Sequence, residues 1–208
     1  MIELLNTDCM EYMRDLENNH FDLAVVDVPY GINVSVSMGR RKGHKPSDYH
    51  KFAGGDVEPP NKDYFIELHR VSKNQIIWGA NHFISNLPLP ANSSCWLMWD
   101  KGFSPDVTFA QFELAWTSFS SPCKKFDKSP NDKYRIHPTQ KPVKLYEWLL
   151  KNYAKEGDRI LDTHLGSGSS AIAAHYGGFD FVGCELDEDY FKAAQKRFND
   201  ETRQKAMF

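Results

Sequence analysis

The sequence has few cysteines, no long apolar run and no surplus of positive charge, and each absence removes a class of function. The four cysteines, Cys9, Cys95, Cys123 and Cys184, show no CxxC spacing. Neither a zinc site nor a disulfide framework is therefore expected, and reduced thiols in a cytoplasmic protein are the simpler reading. No apolar stretch approaches bilayer-spanning length, and the opening MIELLNTDCM lacks the basic segment and apolar run of a leader, so no membrane partner is expected. A formal net charge of −3 withholds the basic excess of many nucleic-acid binders, which leaves such binding to local patches. With 41% hydrophobic residues among 208, the chain is neither disordered nor too small for a sizeable core, and one domain over residues 1–208 is expected.

Short apolar runs ending in an acidic or small residue alternate with segments of helical spacing. Strands are expected at Ile2–Leu5, Leu23–Val26, Ile76–Trp78, Cys95–Trp99, Arg159–Leu161 and Phe179–Cys184. Helices are expected at Cys9–Leu16, Lys62–Val71, Leu145–Tyr153, Ser169–His175 and Tyr190–Phe198. This alternation predicts an α/β fold, a doubly wound and mostly parallel sheet covered on both faces. Two stretches break the rhythm. Residues 31–60 hold glycines, prolines and the run Arg40-Arg41-Lys42-Gly43-His44-Lys45; residues 118–137 are crowded with serine, proline and lysine. Connections this long in a compact domain are functional or disordered.

The segment DRILDTHLGSGSS, from Asp158 to Ser170, reads as a strand ending in Asp162, a loop with Gly166 and Gly168, and a helix start. Glycine admits close backbone approach, and a helix N-terminus offers unpaired N–H groups. Glu185 closes the next strand, where an acid can hold two ribose hydroxyls. The layout suits an adenosine-containing cofactor. It is a weak signal alone, because Ala171 stands where GxGxxG needs its third glycine, and a plain strand–helix turn explains it as well. Asp162 sharpens it: an acid directly before the loop suits a cationic amino group, which S-adenosylmethionine has there and NAD does not.

A second segment, VVDVPYG, puts Asp27, Val28, Pro29 and Tyr30 at the end of a buried strand. Methyl transfer to the exocyclic amine of a base faces a lone pair delocalised into the ring. A carboxylate and a backbone carbonyl accepting the amine N–H groups would localise that lone pair and stabilise the developing positive charge. An aromatic face would hold the base once it has left its helix. Asp27, the Val28 carbonyl and Tyr30 supply these parts, and Pro29 fixes the turn between them. The plainer reading is a strand end with a packed ring.

Taken together, the two segments resemble the DNA amino-methyltransferases, which make N6-methyladenine or N4-methylcytosine. Their Asp-Pro-Pro-Tyr signature is similar to Asp27-Val28-Pro29-Tyr30, and their Asp-Pro-Phe-x-Gly-Ser-Gly-Thr loop to Asp162-Thr163-His164-Leu165-Gly166-Ser167-Gly168-Ser169. His137-Pro138-Thr139-Gln140-Lys141-Pro142 resembles the family element that wraps the methionine end of the cofactor, and Asp8-Cys9 the segment that holds its adenine. Catalytic motif first and cofactor loop last is the permuted order of the β group, and the resemblance spans almost the whole chain.

The resemblance implies a circularly permuted, seven-stranded Rossmann-like sheet, S-adenosylmethionine as cofactor and double-stranded DNA as partner. It assigns Asp27, Val28, Pro29 and Tyr30 to catalysis, and Asp8, Cys9, Thr139, Lys141, Asp162, His164, Gly166, Gly168 and Glu185 to the cofactor, with Thr139 and Lys141 closing on its carboxylate. His164 stands where the family has phenylalanine and is expected to stack, not to catalyse. Arg40, Arg41 and Lys42, in a mobile loop over residues 31–60, and Lys124 and Lys125, in a small recognition insertion over residues 118–137, are expected to meet DNA. The shortness of that insertion implies modest specificity or help from a partner chain, a second copy or a restriction partner included. Aspartate at the first catalytic position leans towards adenine. RNA adenine methylation is the neighbouring alternative, and a nicotinamide-binding oxidoreductase explains the glycine loop but not Asp27–Tyr30 or His137–Pro142. A covalent role for Cys123, beside Pro122, is not expected, since amine methylation needs no covalent intermediate.

Overall fold

A computed structural model describes residues 1–32, 56–104, 106, 110–130 and 135–203. Eight strands form one sheet: β1 (Ile2–Asn6), β2 (Phe21–Val26), β3 (Ser72–Trp78), β4 (Trp96–Asp100), β5 (Phe112–Thr117), β6 (Lys124–Asp127), β7 (Arg159–Asp162) and β8 (Asp180–Glu185). Their order across the sheet is β1-β8-β7-β2-β3-β5-β4-β6. All neighbours run parallel except where β5 pairs antiparallel with β3 and β4.

The doubly wound expectation holds, with eight strands in place of seven. The pattern above did not mark β5 and β6. Strand β6, Lys-Lys-Phe-Asp, pairs only with β4 at the sheet edge and carries mostly exposed side chains, so it has no apolar run to betray it. Its presence also means that residues 118–137 are partly sheet and not wholly an insertion. The expected loop at 31–60 falls mostly on residues 33–55, which lie outside the described residues, as do Arg40, Arg41 and Lys42.

The two sheet faces explain why Leu23–Val26 of β2 reads as an unbroken apolar run. Leu23 and Val25 join a core with Ile76, Trp78, Leu97, Leu145, Leu149 and Ile160 on one face. Phe21, Ala24 and Val26 join Ile77, Leu161, Phe65 and Leu68 on the other. Period-two alternation thus supplies both cores from one central strand. Helices α3 (Val143–Tyr153) and α4 (Ser169–Gly177) pack on the first face; α1 (Cys9–Arg14) and α2 (Lys62–Val71) pack on the second. Helix α5 (Glu188–Arg203) adds Ala194 to the first core.

Local signals set the helix starts. The Asn61 side chain accepts from Tyr64 N and caps α2, whose Phe65, Leu68 and Val71 fall on one buried stripe. Asp187 Oδ1 accepts from the amides of Asp189 and Tyr190 at the start of α5. Phe65 is fully buried and stacks on Phe83 with ring centroids 5.4 Å apart. Phe65→Ala is expected to cost about 3–5 kcal/mol of stability, read as a lowered midpoint in denaturant unfolding with an unchanged slope.

Candidate active site

Parallel strands send all their carboxyl ends to one edge of the sheet, and here four neighbouring ends in a row carry an acid. In strand order these are Asp8, two residues beyond β1; Glu185, the last of β8; Asp162, the last of β7; and Asp27, the first residue beyond β2. At roughly 4.8 Å per strand the row extends about 14 Å. The connections diverge between β7 and β2: β2 leads through α2 to β3 on one side, and β7 leads through α4 to β8 on the other. Asp162 and Asp27 therefore flank the crevice where ligands of open α/β sheets bind.

The glycine loop follows β7. Gly166 has φ 51° and Gly168 φ 74°, left-handed values that favour glycine, and Gly168 stands at the N-terminus of α4. Glu185 Oε2 accepts from Gly166 N at 2.8 Å, so the acid braces the loop as well as ending its own strand. Arg197 of α5 braces it from behind, donating to Ser167 O at 3.0 Å and Ser169 Oγ at 2.9 Å. Asp162 is buried; Oδ1 accepts from His164 N and Oδ2 from Ser170 Oγ. Burial lifts its carboxyl to about 7 against these two hydrogen bonds, and the charges of Asp27 and Glu185 add to the rise.

His164 is held neutral by burial, its pKa down to about 4, and its Nδ1 meets Thr163 Oγ1 at 2.9 Å; Tyr64 Oη meets the same hydroxyl at 2.6 Å. Asp8 caps α1, its Oδ1 accepting from Met10 N and Glu11 N. Burial pushes the neighbouring Cys9 thiol up to about 12, with the Asp8 charge adding to it, so it stays protonated.

The segment before α3 lies across the loop. Ser169 Oγ donates to Lys141 O at 2.8 Å, and Thr139 Oγ1 lies 3.1 Å from His137 Nδ1. One cleft is lined jointly by Asp27, Thr139, Lys141, His164, Gly166 and Ser167, so the catalytic motif and the glycine loop share a single opening. Lys141 corrects an expectation. Its ammonium was assigned to a cofactor carboxylate, but it is buried between two protein carboxylates, 2.5 Å from Asp27 Oδ1 and 2.9 Å from Glu113 Oε2. A desolvated ammonium needs such compensation, and these partners are already in place.

Tyr30 Oη lies 2.8 Å from Asp27 Oδ1 and 3.0 Å from Glu113 Oε2, and accepts from Lys141 Nζ at 3.0 Å. Lys101 completes the cluster 2.6 Å from Glu113 Oε1. Burial raises the Asp27 carboxyl, Lys141 opposing and the Glu113 charge adding to the rise. Burial acts in the same sense on Glu113, but the ammonium groups of Lys141 and Lys101 outweigh it and hold that carboxyl down to about 2. Val28 is buried beside Asp27. Beyond Pro29, the chain is pinned by Asp56, whose Oδ1 accepts from Tyr30 N at 2.5 Å and Gly31 N at 3.0 Å.

Glu113, Lys101, Asp56, Tyr64 and Arg197 are site residues that the sequence reading missed. Only Glu113 left a trace there, as an acid inside the alternating run Phe-Glu-Leu-Ala-Trp-Thr.

Lys124 and Lys125 do not join this group. Lys124 begins β6, at the sheet edge opposite the acids, and donates to Asn152 Oδ1 at 3.1 Å with its ammonium over the Tyr153 ring. Lys125 is paired with Asp127 at 2.7 Å and Asp100 at 3.5 Å. Parallel pairing with β4 fixes this direction and places the expected second DNA-facing patch on an edge strand whose Lys125 is ion-paired. Cys123 is exposed, just before β6.

Comparison with known proteins gives a consistent picture. A family model described as DNA methylase matches residues 77–196. The type II methyltransferase M2.DpnII of Streptococcus pneumoniae is 43% identical over 65 residues, which span 31% of this chain but only 24% of that protein. Among solved structures, the M1.HpyAVI–SAM complex superposes with a TM-score of 0.63 at 18% identity, covering 96% of this chain and 100% of that one. The cytosine-N4-specific PvuII DNA methyltransferase gives a TM-score of 0.63 at 10% identity, covering 98% and 92%.

Gly79 holds the platform of this site. Its φ is 73°, and a Cβ there would lie 2.2 Å from Tyr30 Cε1; His82 stacks on the same ring at 5.5 Å, and the Lys141 ammonium lies 5.5 Å from its centroid. Gly79→Ala is expected to displace the Tyr30 ring and cost about 1–3 kcal/mol of stability, seen as a lower midpoint in thermal unfolding together with altered Tyr30 ring resonances.

Proposed function

The chain belongs to the DNA methylase family of amino-group methyltransferases, and from that membership we propose that it methylates the exocyclic amine of a base flipped out of double-stranded DNA, using S-adenosylmethionine. Adenine N6 is the first reading. Cytosine N4 is the second, kept because the family model covers both amines and one similar structure is cytosine-N4-specific.

The row of four strand-end acids carries the reading. A ligand lying along Asp8, Glu185 and Asp162 would meet in turn an acceptor for its adenine, one for its ribose hydroxyls and one for its amino group, and would end beside Asp27. The residues fit that ligand chemically: a buried carboxyl at Asp162 suits an ammonium, and the glycine loop admits close approach. Thr139 and Gly166 line the same cleft and would close it. Bound there, S-adenosylmethionine supplies a methyl group on a positively charged sulfur.

At the acceptor side, Asp27 Oδ1 is occupied by Lys141 and Tyr30, and among the described residues no donor is hydrogen-bonded to Oδ2. Oδ2 and the Val28 carbonyl would accept the two N–H groups of the target amine. That interaction turns the lone pair out of the ring plane and stabilises the positive charge that grows on nitrogen, whose surplus proton Asp27 stands ready to receive. The ring of Tyr30, fixed by its hydroxyl and by Gly79, would serve as a stacking surface.

Asp27→Ala is expected to lower turnover by roughly two to three decades while cofactor affinity stays within about twofold. Single-turnover transfer of a labelled methyl group, together with calorimetric titration, reads both. Digestion of the methylated DNA to nucleosides, with mass identification of the product, decides between adenine and cytosine; methylation of RNA alone would overturn the DNA reading.

The Asp162 carboxyl adds a pH dependence. Its folded-state pKa is raised to about 7, so below that pH a cationic amino group must displace a proton to bind. Cofactor affinity is expected to fall by up to roughly tenfold per unit as the pH drops below about 7. Asp162→Asn should abolish that slope in calorimetry across pH 5–9.

A further inference from the structure

Glu113 reaches the site from β5, which runs against the other described strands, and does not itself line the cleft assigned above to the cofactor, meeting it only through Lys141. Its two oxygens are divided: Oε1 takes the Lys101 ammonium at 2.6 Å, and Oε2 takes Lys141 at 2.9 Å and the Tyr30 hydroxyl at 3.0 Å. Lys141 is divided in the same way. Its three protons have three acceptors: Asp27 Oδ1, Glu113 Oε2 and Tyr30 Oη. Two ammonium groups and two carboxylates balance in charge, and the ion that touches Asp27 is shared with a second anion.

We propose that Glu113 is a positioning residue for methyl transfer: by holding Lys141 and Tyr30 on its own carboxylate, it confines both to one oxygen of Asp27 and leaves the other to face the target amine. The proposal rests on the methyltransferase reading. Without the Glu113 charge, the Lys141 ammonium has a single anion beside it. It is then drawn across both oxygens of Asp27, the arrangement in which a carboxylate is the poorest acceptor for a neutral N–H. Sharing therefore keeps a buried cation, needed to offset two buried acids, from quenching the one acid that acts.

The groups facing Asp27 are Tyr30 from its own loop, Lys141 from the segment before α3, Glu113 from β5, Tyr146 from α3 and Asp162 from β7. Of these, Glu113→Gln removes one negative charge and keeps shape and hydrogen-bonding capacity. The Asp27 carboxyl should then titrate lower, since the Glu113 charge is one of the causes that raise it. The acid limb of the turnover profile should move down with it, and plateau turnover should fall about tenfold or more, as for a lost preorganised contact. Lys101→Met removes a positive charge from the far side of Glu113 and should move the Asp27 titration the opposite way.

The experiment is carbon-13 detection of the Asp27 carboxyl through a pH titration, assigned by its loss in Asp27→Asn. It is run on wild type, Glu113→Gln and Lys101→Met beside single-turnover methylation of DNA. Opposite shifts in the two variants, with the acid limb following, are the expected result. An Asp27 titration that stays put in whichever variants fold overturns the proposal, and so does lost turnover without movement of the acid limb, which marks Glu113 as structural only. A wild-type protein that methylates no DNA overturns the parent reading instead, and the carboxyl titrations report on the shared ion all the same.

Discussion

A single buried ammonium ties the two halves of this molecule together. Lys141 comes from the segment leading into α3, its carboxylate partners come from the end of β2 and the start of β5, and its backbone carbonyl is held by Ser169 at the start of α4. Removing water from such a cation is expensive, and only paired anions make it tolerable. The requirement runs in both directions. Asp27 and Glu113 lie at the same edge of the sheet and repel each other, and the lysine between them offsets that repulsion, with Lys101 helping at Glu113. One ion thereby joins the ends of β2 and β5, the seat of the tyrosine and the segment that lies across the loop.

Around that point the sheet acts as a ruler. Side chains along β2 are consumed by the two cores, and only the residue beyond its end is released for chemistry. The same holds for β7 and β8, where Asp162 and Glu185 mark the last paired positions. The spacing of functional groups is therefore set by backbone hydrogen bonding between strands, which is stiffer than any side-chain contact. The loops need only fold back over the row, and they do so with fixed anchors: Asp56 on the amides of Tyr30 and Gly31, Arg197 on Ser167 and Ser169.

Much of this row was legible in the sequence, because each acid closes an apolar run and so announces a strand end. Asp27, Asp162 and Glu185 were found that way. What the sequence hid was partnership. The anchors Asp56 and Arg197 bind backbone atoms 26 and 30 residues away, and no spacing rule points across such a distance. Glu113 sits in a strand whose reversed direction breaks the strand–helix rhythm, and Lys141 was misassigned because its motif suggests a ligand-facing cation while burial gave it two acids instead. Strand β6 went unseen since an exposed edge needs few apolar residues. Nor does composition say that Lys124 and Lys125 lie on an edge strand paired with β4.

The reversal of β5 has a topological consequence. A parallel strand delivers its last residue to the working edge of the sheet; an antiparallel one delivers its first. Between Asp100 and Phe112 the chain therefore leaves that edge and returns to it without crossing the molecule, as a hairpin does. Residues can be added or removed in that excursion with no change to the register of any strand. Beside its chemistry, next to the acid that steadies Lys141, the fold thus keeps a connection whose length can vary while the rest of the sheet is inherited intact.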